Sequence, residues 1–454
     1  MICSLIKMDF FPEAGSDRYS QQRGDSVSTS LIVLIVCFLA LMIIGLPIAY
    51  NLLITTVVYL LAADVNLVQL AIKMYGGMNS FSFLAVPFFV LTGQLMLRGG
   101  LLESLVKFVN AWFGSFKGAI AIVAIGASLL MGSIVGLAVA SAASLGVFLI
   151  PMMKKEGYAP EFAAGVMSSA SLLGPIMPPS VLMILYCTAV GNTSIAGLFM
   201  AAVVPAIAIS LLQCFTAHRI AKKRGYPSYG RSTWKEKWQA TVKAIPALLL
   251  PVIILGGIFS GIFSITEASG IAVVYSAILA FFVNRSVKLS DIPQMVIEAA
   301  ATSGLVLILS GAGTAMAWGI ANERVMSLLI EPLSAMPSWL FLLLVNILLI
   351  VCGMFMDDYA STVILAPIIA PIAWALGISP LHIGLVFCVN LVIGLATPPF
   401  GITLFVTSPT AGTTVEKTAK EALPFLAVTL AVLLLVTFVP DVALWLPETL
   451  GYLS

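Results

Sequence analysis

The sequence predicts an all-α polytopic membrane protein with an inverted-topology repeat that contains two re-entrant hairpins and two broken helices. Three observations lead to this prediction. Of the 454 residues, 60% are hydrophobic and only 9% are charged. Nine identities recur at a constant offset of 220 residues, and most of them fall on Gly, Pro or Ser. The basic residues cluster in a few loops, whose positions orient the two copies in opposite directions.

The composition excludes several classes of protein. Soluble globular chains carry about 25% charged residues, so a chain this apolar requires a lipid bilayer around it. A net charge of +2 provides no field for binding nucleic acid. The six cysteines form no Cys-x-x-Cys pair, and the two histidines, His218 and His382, lie in different halves. We therefore expect no histidine-based metal site.

The hydropathy pattern divides the chain into two similar halves joined by a basic segment. Residues 1–30 form a polar N-terminal tail, 31–217 the first repeat, 218–245 a basic cytoplasmic linker, 246–446 the second repeat and 447–454 a C-terminal tail. The segments at about 118–153 and 339–376 are too interrupted for one helix, which predicts re-entrant hairpins. Segments 162–190 and 382–408 each carry two successive prolines, which predicts broken helices.

The loop charges predict the orientation of the two repeats. Loops rich in Lys and Arg stay on the cytoplasmic side. The linker and the pair Lys154-Lys155 are separated by two crossings, so both fall on that side. The loop at 377–381 corresponds to the Lys154 loop but has no Lys or Arg, which fits an inverted second half. Symmetry then places the N-terminus outside, although 31–63 is short for two crossings.

The most informative motifs are two double-proline segments at matching positions, Gly174–Ser180 (GPIMPPS) and Gly394–Phe400 (GLATPPF). Proline removes a backbone N–H and displaces the carbonyl of the residue four positions earlier. Two prolines after a glycine are therefore expected to unwind a helical turn. The freed carbonyls suit a cation, and the adjoining helix N-termini suit an anion. The alternative is a plain kink, which the occurrence in register within a repeat disfavours.

The predicted hairpin tips, near Gly136–Ser141 and Asp357–Thr362, supply polar groups. Ser and Thr hydroxyls are oxygen ligands for Na⁺ and can also bind a carboxylate. The alternative for Ser361 and Thr362 is a hydroxyl bonded to its own helix backbone. Asp357 or Asp358 is either a functional intramembrane acid or a helix cap. Asn390 either supports a ligand or joins two helices, and Glu267 is interpreted as a scaffold residue.

These motifs resemble the large membrane subunit of the tripartite ATP-independent periplasmic (TRAP) transporters. The resemblance runs from about Leu31 to Leu446. It rests on Gly174–Ser180, Gly353–Asp357 (GMFMD), Asn390–Gly401 (NLVIGLATPPFG) and Pro151–Tyr158 (PMMKKEGY).

The resemblance implies an elevator-type transporter in the bacterial inner membrane, driven by a sodium gradient and with no cofactor beyond Na⁺ as the coupling ion. It implies two partners, a small four-helix membrane subunit and a periplasmic solute-binding protein. The substrate would be a small organic acid of the C4-dicarboxylate, keto acid or sialic acid class.

The resemblance also implies that sodium sites lie between each hairpin tip and the facing broken helix. The implied sodium ligands are Gly136, Ser141, Gly174, Pro175, Pro178, Asp358, Ser361, Gly394, Thr397 and Pro398. The implied substrate contacts are Pro179, Ser180, Ser361, Thr362 and Pro399.

One departure from the family pattern concerns the first tip. The family has a Ser-Gly-Ser-Ser type of sequence there, whereas this chain has Val135–Ala138 (VGLA), flanked by Ser133 and Ser141. Backbone carbonyls and Ser141 are left as ligands. At the 220-residue offset, Thr362 corresponds to Ala142 of the first repeat and Thr397 corresponds to Met177. We therefore expect the second sodium site to depend more on side chains.

Other functions remain as rivals. A stand-alone ion-coupled carboxylate carrier would share the architecture but need no binding protein. A proton-coupled version would depend on Asp357 or Asp358. An intramembrane protease is disfavoured because the chain has neither H-E-x-x-H nor G-x-G-D, and we expect no enzymatic activity.

Overall fold

The computed structural model describes residues 28–228, 232–323, 325, 333 and 336–452. Most of the predicted polar tail, 1–27, and residues 453–454 lie outside this part. Within it the chain is α-helical, with short non-α turns at 81–84, 279–283 and 289–291 and no strand. The prediction of an all-α membrane protein is confirmed.

The helices have the following bounds. They are Thr29–Ile43, Ile48–Ala62, Val68–Met78, Ala85–Arg98, Leu101–Phe113, Ala119–Val135, Ala138–Lys155, Pro160–Ser171, Leu173–Ile176, Val181–Val190, Ile195–Arg224, Trp234–Phe259, Ile265–Ile278, Ile292–Asn322, Ser338–Phe355, Asp358–Ala375, Pro380–Gly394, Ile402–Ala411, Val415–Phe438 and Pro440–Thr449. Nine helical segments of the described part are long and apolar enough to cross a membrane. The pair Pro160–Ile176 and Val181–Val190, bent by 46°, gives a tenth span.

Two helix pairs occupy the segments predicted as hairpins. The first hairpin consists of Ala119–Val135 and Ala138–Lys155, and the second of Ser338–Phe355 and Asp358–Ala375. Gly136 ends the first arm with φ 66°, a left-handed conformation that glycine adopts without steric cost. Asp357 starts the return arm of the second hairpin as its N-cap. The arms keep the 220-residue offset, because Val135 corresponds to Phe355 and Ala138 to Asp358.

Helices begin earlier or end later than expected at three places. The helix Ile195–Arg224 runs into the predicted linker until Gly225 caps it, and the next helix starts at Trp234 with a Thr233–Glu236 capping box. Lys and Arg are good helix formers, so the polar segment shortens to 225–233, of which 229–231 lie outside the described residues. At the C-terminus, Pro440–Thr449 extends into the predicted tail.

The segment 31–63 forms two packed helices, Thr29–Ile43 and Ile48–Ala62. Each has 15 residues, whereas a full crossing takes about 20. Ser28 caps the first helix by accepting a hydrogen bond from the Leu31 N–H. Ile48–Ala62 in turn packs against helix Ile292–Asn322.

Helices of the two repeats pack against one another. The first hairpin's return arm, Ala138–Lys155, packs against helix Ile402–Ala411 of the second repeat. In the same way the second hairpin's return arm, Asp358–Ala375, packs against helix Val181–Val190 of the first repeat. Each hairpin also contacts the broken helix of its own repeat. The two predicted sites therefore share one buried interior, in which residues such as Phe162, Phe199 and Phe387 are fully covered.

Candidate ion and substrate site

The helix breaks lie at the double-proline motifs. In the first repeat the helix stops at Ile176 and resumes at Val181, and in the second it stops at Gly394 and resumes at Ile402. Both prolyl bonds, Pro178-Pro179 and Pro398-Pro399, are cis. We call the backbone of each motif, Gly174–Ser180 or Gly394–Phe400, the loosened turn. In the second repeat the Gly401 N–H donates to the Thr397 carbonyl at 3.1 Å, which forms a local turn. The paired breaks expected from the sequence are thus present in both halves.

Glycines let each hairpin approach its broken helix backbone to backbone. A Cβ added to Gly132 would lie 2.7 Å from the Gly174 Cα. A Cβ added to Gly353 would lie 3.1 Å from the Gly394 Cα and 2.8 Å from the Leu391 carbonyl oxygen. No side chain fits between the elements at these points, so the first arm of each hairpin rests on the loosened turn. Gly132 was not singled out from the sequence, although small residues are the usual signal for close helix packing in membranes.

Ser141 and Ser361, at equivalent positions of the two repeats, carry the clearest sign of a ligand. Both side chains are buried, and neither hydroxyl has a hydrogen-bond partner within the described part of the chain. A buried polar group without a partner costs about 1–3 kcal/mol. In the first repeat a Cβ built on Gly174 would lie 3.1 Å from Ser141 Oγ and 3.3 Å from the Leu137 carbonyl oxygen. A hydroxyl and a carbonyl thus face the loosened turn together, as oxygen ligands of a small cation would.

The other predicted hydroxyl ligands donate to nearby backbone carbonyls. Thr362 Oγ1 donates to the Asp358 carbonyl and Thr397 Oγ1 to the Ile393 carbonyl, both at 2.7 Å. Ser180 Oγ donates to the Pro175 carbonyl at 2.6 Å and caps helix Val181–Val190. Their lone pairs remain as possible ligands, but their donors are used. The backbone-bonded alternative therefore describes Thr362 but not Ser361.

The acids at the second hairpin tip have different local roles. Asp357 is the N-cap of Asp358–Ala375, and its Oδ2 accepts from the Tyr359 N–H at 3.2 Å. Asp358 is buried, and its Oδ1 accepts from the same N–H at 3.1 Å. Capping is the alternative that the sequence left open for one of this pair. A cavity of about 370 Å³ lies between the Asp357 tip and helices Ile48–Ala62 and Ile292–Asn322.

The two double-proline motifs differ in exposure. Pro178, Pro179 and Ser180 are buried, whereas Pro399 and Phe400 are exposed. Phe400 is 53% exposed, and its ring lies 5.3 Å from that of Phe355 at the second hairpin. The predicted substrate contacts are consequently not equally accessible. In this conformation the second motif is the open one.

Two further polar residues hold helices together. Asn390 Nδ2 donates to Asn346 Oδ1 at 2.6 Å, which ties the second broken helix to the second hairpin. Thr437 of helix Val415–Phe438 lies next to the same pair. Glu267 forms a capping box with Ser264, a scaffold role. Groups of three or more His, Cys, Asp or Glu side chains able to hold a metal do not occur among the described residues.

Comparison with known proteins places this geometry in a family. Residues 35–442 match the family model of the tripartite ATP-independent periplasmic transporter, DctM component. The C4-dicarboxylate TRAP transporter large permease of Pseudomonas aeruginosa is 39% identical over 385 residues, covering 84% of this chain and 90% of that one. The sialic acid TRAP transporter permease of Haemophilus influenzae is 35% identical over 426 residues, covering 93% of this chain and 69% of that protein.

Solved structures agree in fold at low sequence identity. The crystal structure of the Alcanivorax borkumensis YdaH transporter matches with a TM-score of 0.61 and 17% identity, covering 93% of this chain and 99% of that one. The match to Neisseria gonorrhoeae MtrF, with a TM-score of 0.58 and 13% identity, covers 92% and 96%. These likenesses concern the fold alone. The family match and the identities above show that the chain belongs to the DctM family, the large permease component of TRAP transporters, and is a transporter rather than an enzyme.

Proposed function

We propose that this permease couples the import of a small organic acid to the inward movement of sodium. The observation that supports this most directly is that the buried hydroxyls of Ser141 and Ser361, at equivalent positions, have no hydrogen-bond partner among the described residues. Two sites at equivalent positions of the two repeats suit two ions of one kind. A substrate bound between them would then depend on both.

Each sodium ion would lie between a hairpin tip and a loosened turn. In the first repeat the ligands would come from Gly136, Ser141 and the segment Gly174–Pro178. In the second they would come from Asp358, Ser361 and the segment Gly394–Pro398. Na⁺ is a hard cation, and hydroxyl and carbonyl oxygens facing a glycine turn match its preference. Asp358 would supply a formal negative charge in the second site alone.

The substrate would occupy the space between the two tips, against Pro179, Ser180, Thr362 and Pro399. Helix Ala138–Lys155 begins without a side-chain cap, so its first N–H groups can receive a carboxylate. The helix at Asp358 is already capped by an acid and would repel an anion. Relatives of this chain are named for C4-dicarboxylates, for sialic acid and, in Escherichia coli, for 2,3-diketo-L-gulonate. Each of these compounds carries an acid group. We propose that the cargo shares it.

The remaining parts of the proposal follow from family membership. The permease would act in the bacterial inner membrane with a small four-helix membrane subunit and a periplasmic solute-binding protein. The hairpins and broken helices would move as one body in an elevator-type cycle. The outer helices Ile48–Ala62 and Ile292–Asn322, which face the cavity at Asp357, would form the fixed frame.

The test is uptake into proteoliposomes that contain the chain, its small subunit and its binding protein. A radiolabelled C4-dicarboxylate, sialic acid or keto acid would be offered with and without an inward Na⁺ gradient. We expect uptake only with the gradient and only with the binding protein. Uptake without the binding protein would favour a stand-alone carrier. Uptake driven by a pH gradient and lost in Asp357→Asn would favour proton coupling.

A further inference from the structure

Helix Ile402–Ala411 is held at both ends by side chains of the other repeat. At its first turn Thr403 Oγ1 donates to the Leu395 carbonyl at 3.0 Å. The Ser168 and Thr403 hydroxyl oxygens are 2.8 Å apart, so Ser168 supplies the proton of their hydrogen bond. At its last turn Lys154 Nζ donates to the Ala411 carbonyl at 2.8 Å. Ser168 and Lys154 both belong to the first repeat.

These contacts reach the loosened turn of the second repeat through short connections. The Thr403 N–H also donates to the Leu395 carbonyl at 3.0 Å, so two bonds fix the start of the helix to the residue after Gly394. The Gly401 N–H holds the Thr397 carbonyl. The helix has ten residues and is about 15 Å long, with Pro409 in its last turn, so a bond at its far end restrains its near end over a short distance. A cation at a helix C-terminus also stabilises it electrostatically.

The reciprocal contacts are missing from the first broken helix. The 220-residue offset matches Ser168 with Cys388, Thr403 with Met183, and Lys154 with Trp374. Cys388 and Met183 carry no hydroxyl. Trp374 does have an N–H to donate, but its Nε1 is buried without a partner within the described part. Helix Val181–Val190 thus lacks the two polar contacts that hold its counterpart.

We infer that Ser168 and Lys154 are positioning residues for the second sodium site, through polar contacts from the first repeat that have no counterpart in the opposite direction among the described residues. This inference rests on the proposed function, which places sodium at the Gly394–Pro398 turn. From the sequence, Lys154 was interpreted only as an orientation signal. The structure gives it a bond that its neighbour Lys155 does not show.

The experiment measures how Na⁺ raises the melting temperature of the purified full-length chain, with choline as the control cation. Neither partner nor substrate is needed. We expect Ser168→Ala and Ser168→Cys to raise the half-effective Na⁺ concentration roughly three- to tenfold, because a buried hydrogen bond is lost. We expect Lys154→Met to raise it roughly two- to fivefold, and Lys154→Arg to restore it, because arginine keeps the charge and donor.

Two controls separate positioning from general damage. Lys155→Met removes the same charge one residue away, and Trp374→Phe removes the unpartnered donor at the reciprocal position. Both should stay within about twofold of the natural chain, since neither change breaks a bond seen in the structure. In the reconstituted system the Ser168 and Lys154 variants should shift the Na⁺ dependence of uptake and keep its maximal rate at saturating Na⁺.

The outcomes distinguish the inference from the function beneath it. A natural chain that Na⁺ does not stabilise would overturn the proposed function and this inference together. A natural chain that responds to Na⁺, with Ser168→Ala and Lys154→Met responding equally, would overturn the inference alone. So would a Lys155→Met variant as impaired as Lys154→Met.

Discussion

Replacing Gly394 by alanine tests whether the close approach of hairpin and broken helix builds the proposed second sodium site. A Cβ at this position would lie 2.5 Å from both the Cα and the carbonyl carbon of Gly353. Ordinary contact begins at 3.4 Å, so the two backbones would have to separate by about 1 Å. Both neighbours are backbone atoms, which no rotamer change can move aside. We expect a cost of about 1–3 kcal/mol.

The same separation would move apart the oxygen atoms that are proposed to bind the sodium ion. A loss of 1.4 kcal/mol in ion binding is a tenfold weaker affinity, so a cost of about 1–3 kcal/mol should raise the half-saturating Na⁺ concentration for uptake by about fivefold to a hundredfold. The matched control is Gly256→Ala, because Gly256 lies inside helix Trp234–Phe259 with nothing within 4 Å of an added Cβ. That change should be neutral or stabilise by about 0.5–1 kcal/mol. A Gly394→Ala chain with unchanged melting temperature and Na⁺ dependence would refute the reasoning.

Three other predictions concern stability. Ser141→Ala and Ser361→Ala should leave the melting temperature in Na⁺-free buffer unchanged or higher, because neither hydroxyl has a hydrogen-bond partner among the described residues. Both changes should weaken stabilisation by Na⁺. A lower melting temperature without Na⁺ would show a structural role. Asp357→Asn should keep the fold because Asn caps helices as well as Asp, whereas Asp357→Ala should cost about 0.5–2 kcal/mol in denaturant unfolding; equal losses would argue against capping. Asn390→Leu should cost about 1–3 kcal/mol because the buried Asn346 Oδ1 loses its shorter hydrogen bond and keeps only the longer one from Thr437, and a variant as stable as the natural chain would contradict this.

The large features of the fold could be predicted because they rest on strong local signals. Apolar runs, Gly136 at a turn and paired prolines each act directly on the local backbone conformation. The helices of both hairpins accordingly fall within a few residues of the predicted segments. The boundary between helix Ile195–Arg224 and the linker was harder to predict from the sequence. Lys222 and Lys223 are polar yet good helix formers, so polarity alone did not locate the helix end at Gly225.

The finer properties of the site depend on contacts between distant residues. The sequence marks Thr362 and Thr397 as extra ligands of the second repeat, but it does not show that both donate to carbonyls four residues back. Nor does it show that the hydroxyls of Ser141 and Ser361 both lack a hydrogen-bond partner in the part of the chain that the structure describes. The expectation of a more side-chain-dependent second site stays a prediction, and Asp358 is now the clearest difference between the repeats. The bond from Lys154 to Ala411 spans 257 positions and has no local signal.

Because the two double-proline motifs differ in exposure, chemical labelling of their residues can report which way this permease is oriented. A cysteine placed at Phe400 would react with a membrane-impermeant maleimide in the conformation described here, and one placed at Ser180 would not. If the cycle exchanges the roles of the repeats, the reactive position should switch when sodium and substrate are supplied from the opposite compartment. Labelling from one face at a time would then assign this conformation to one side of the membrane.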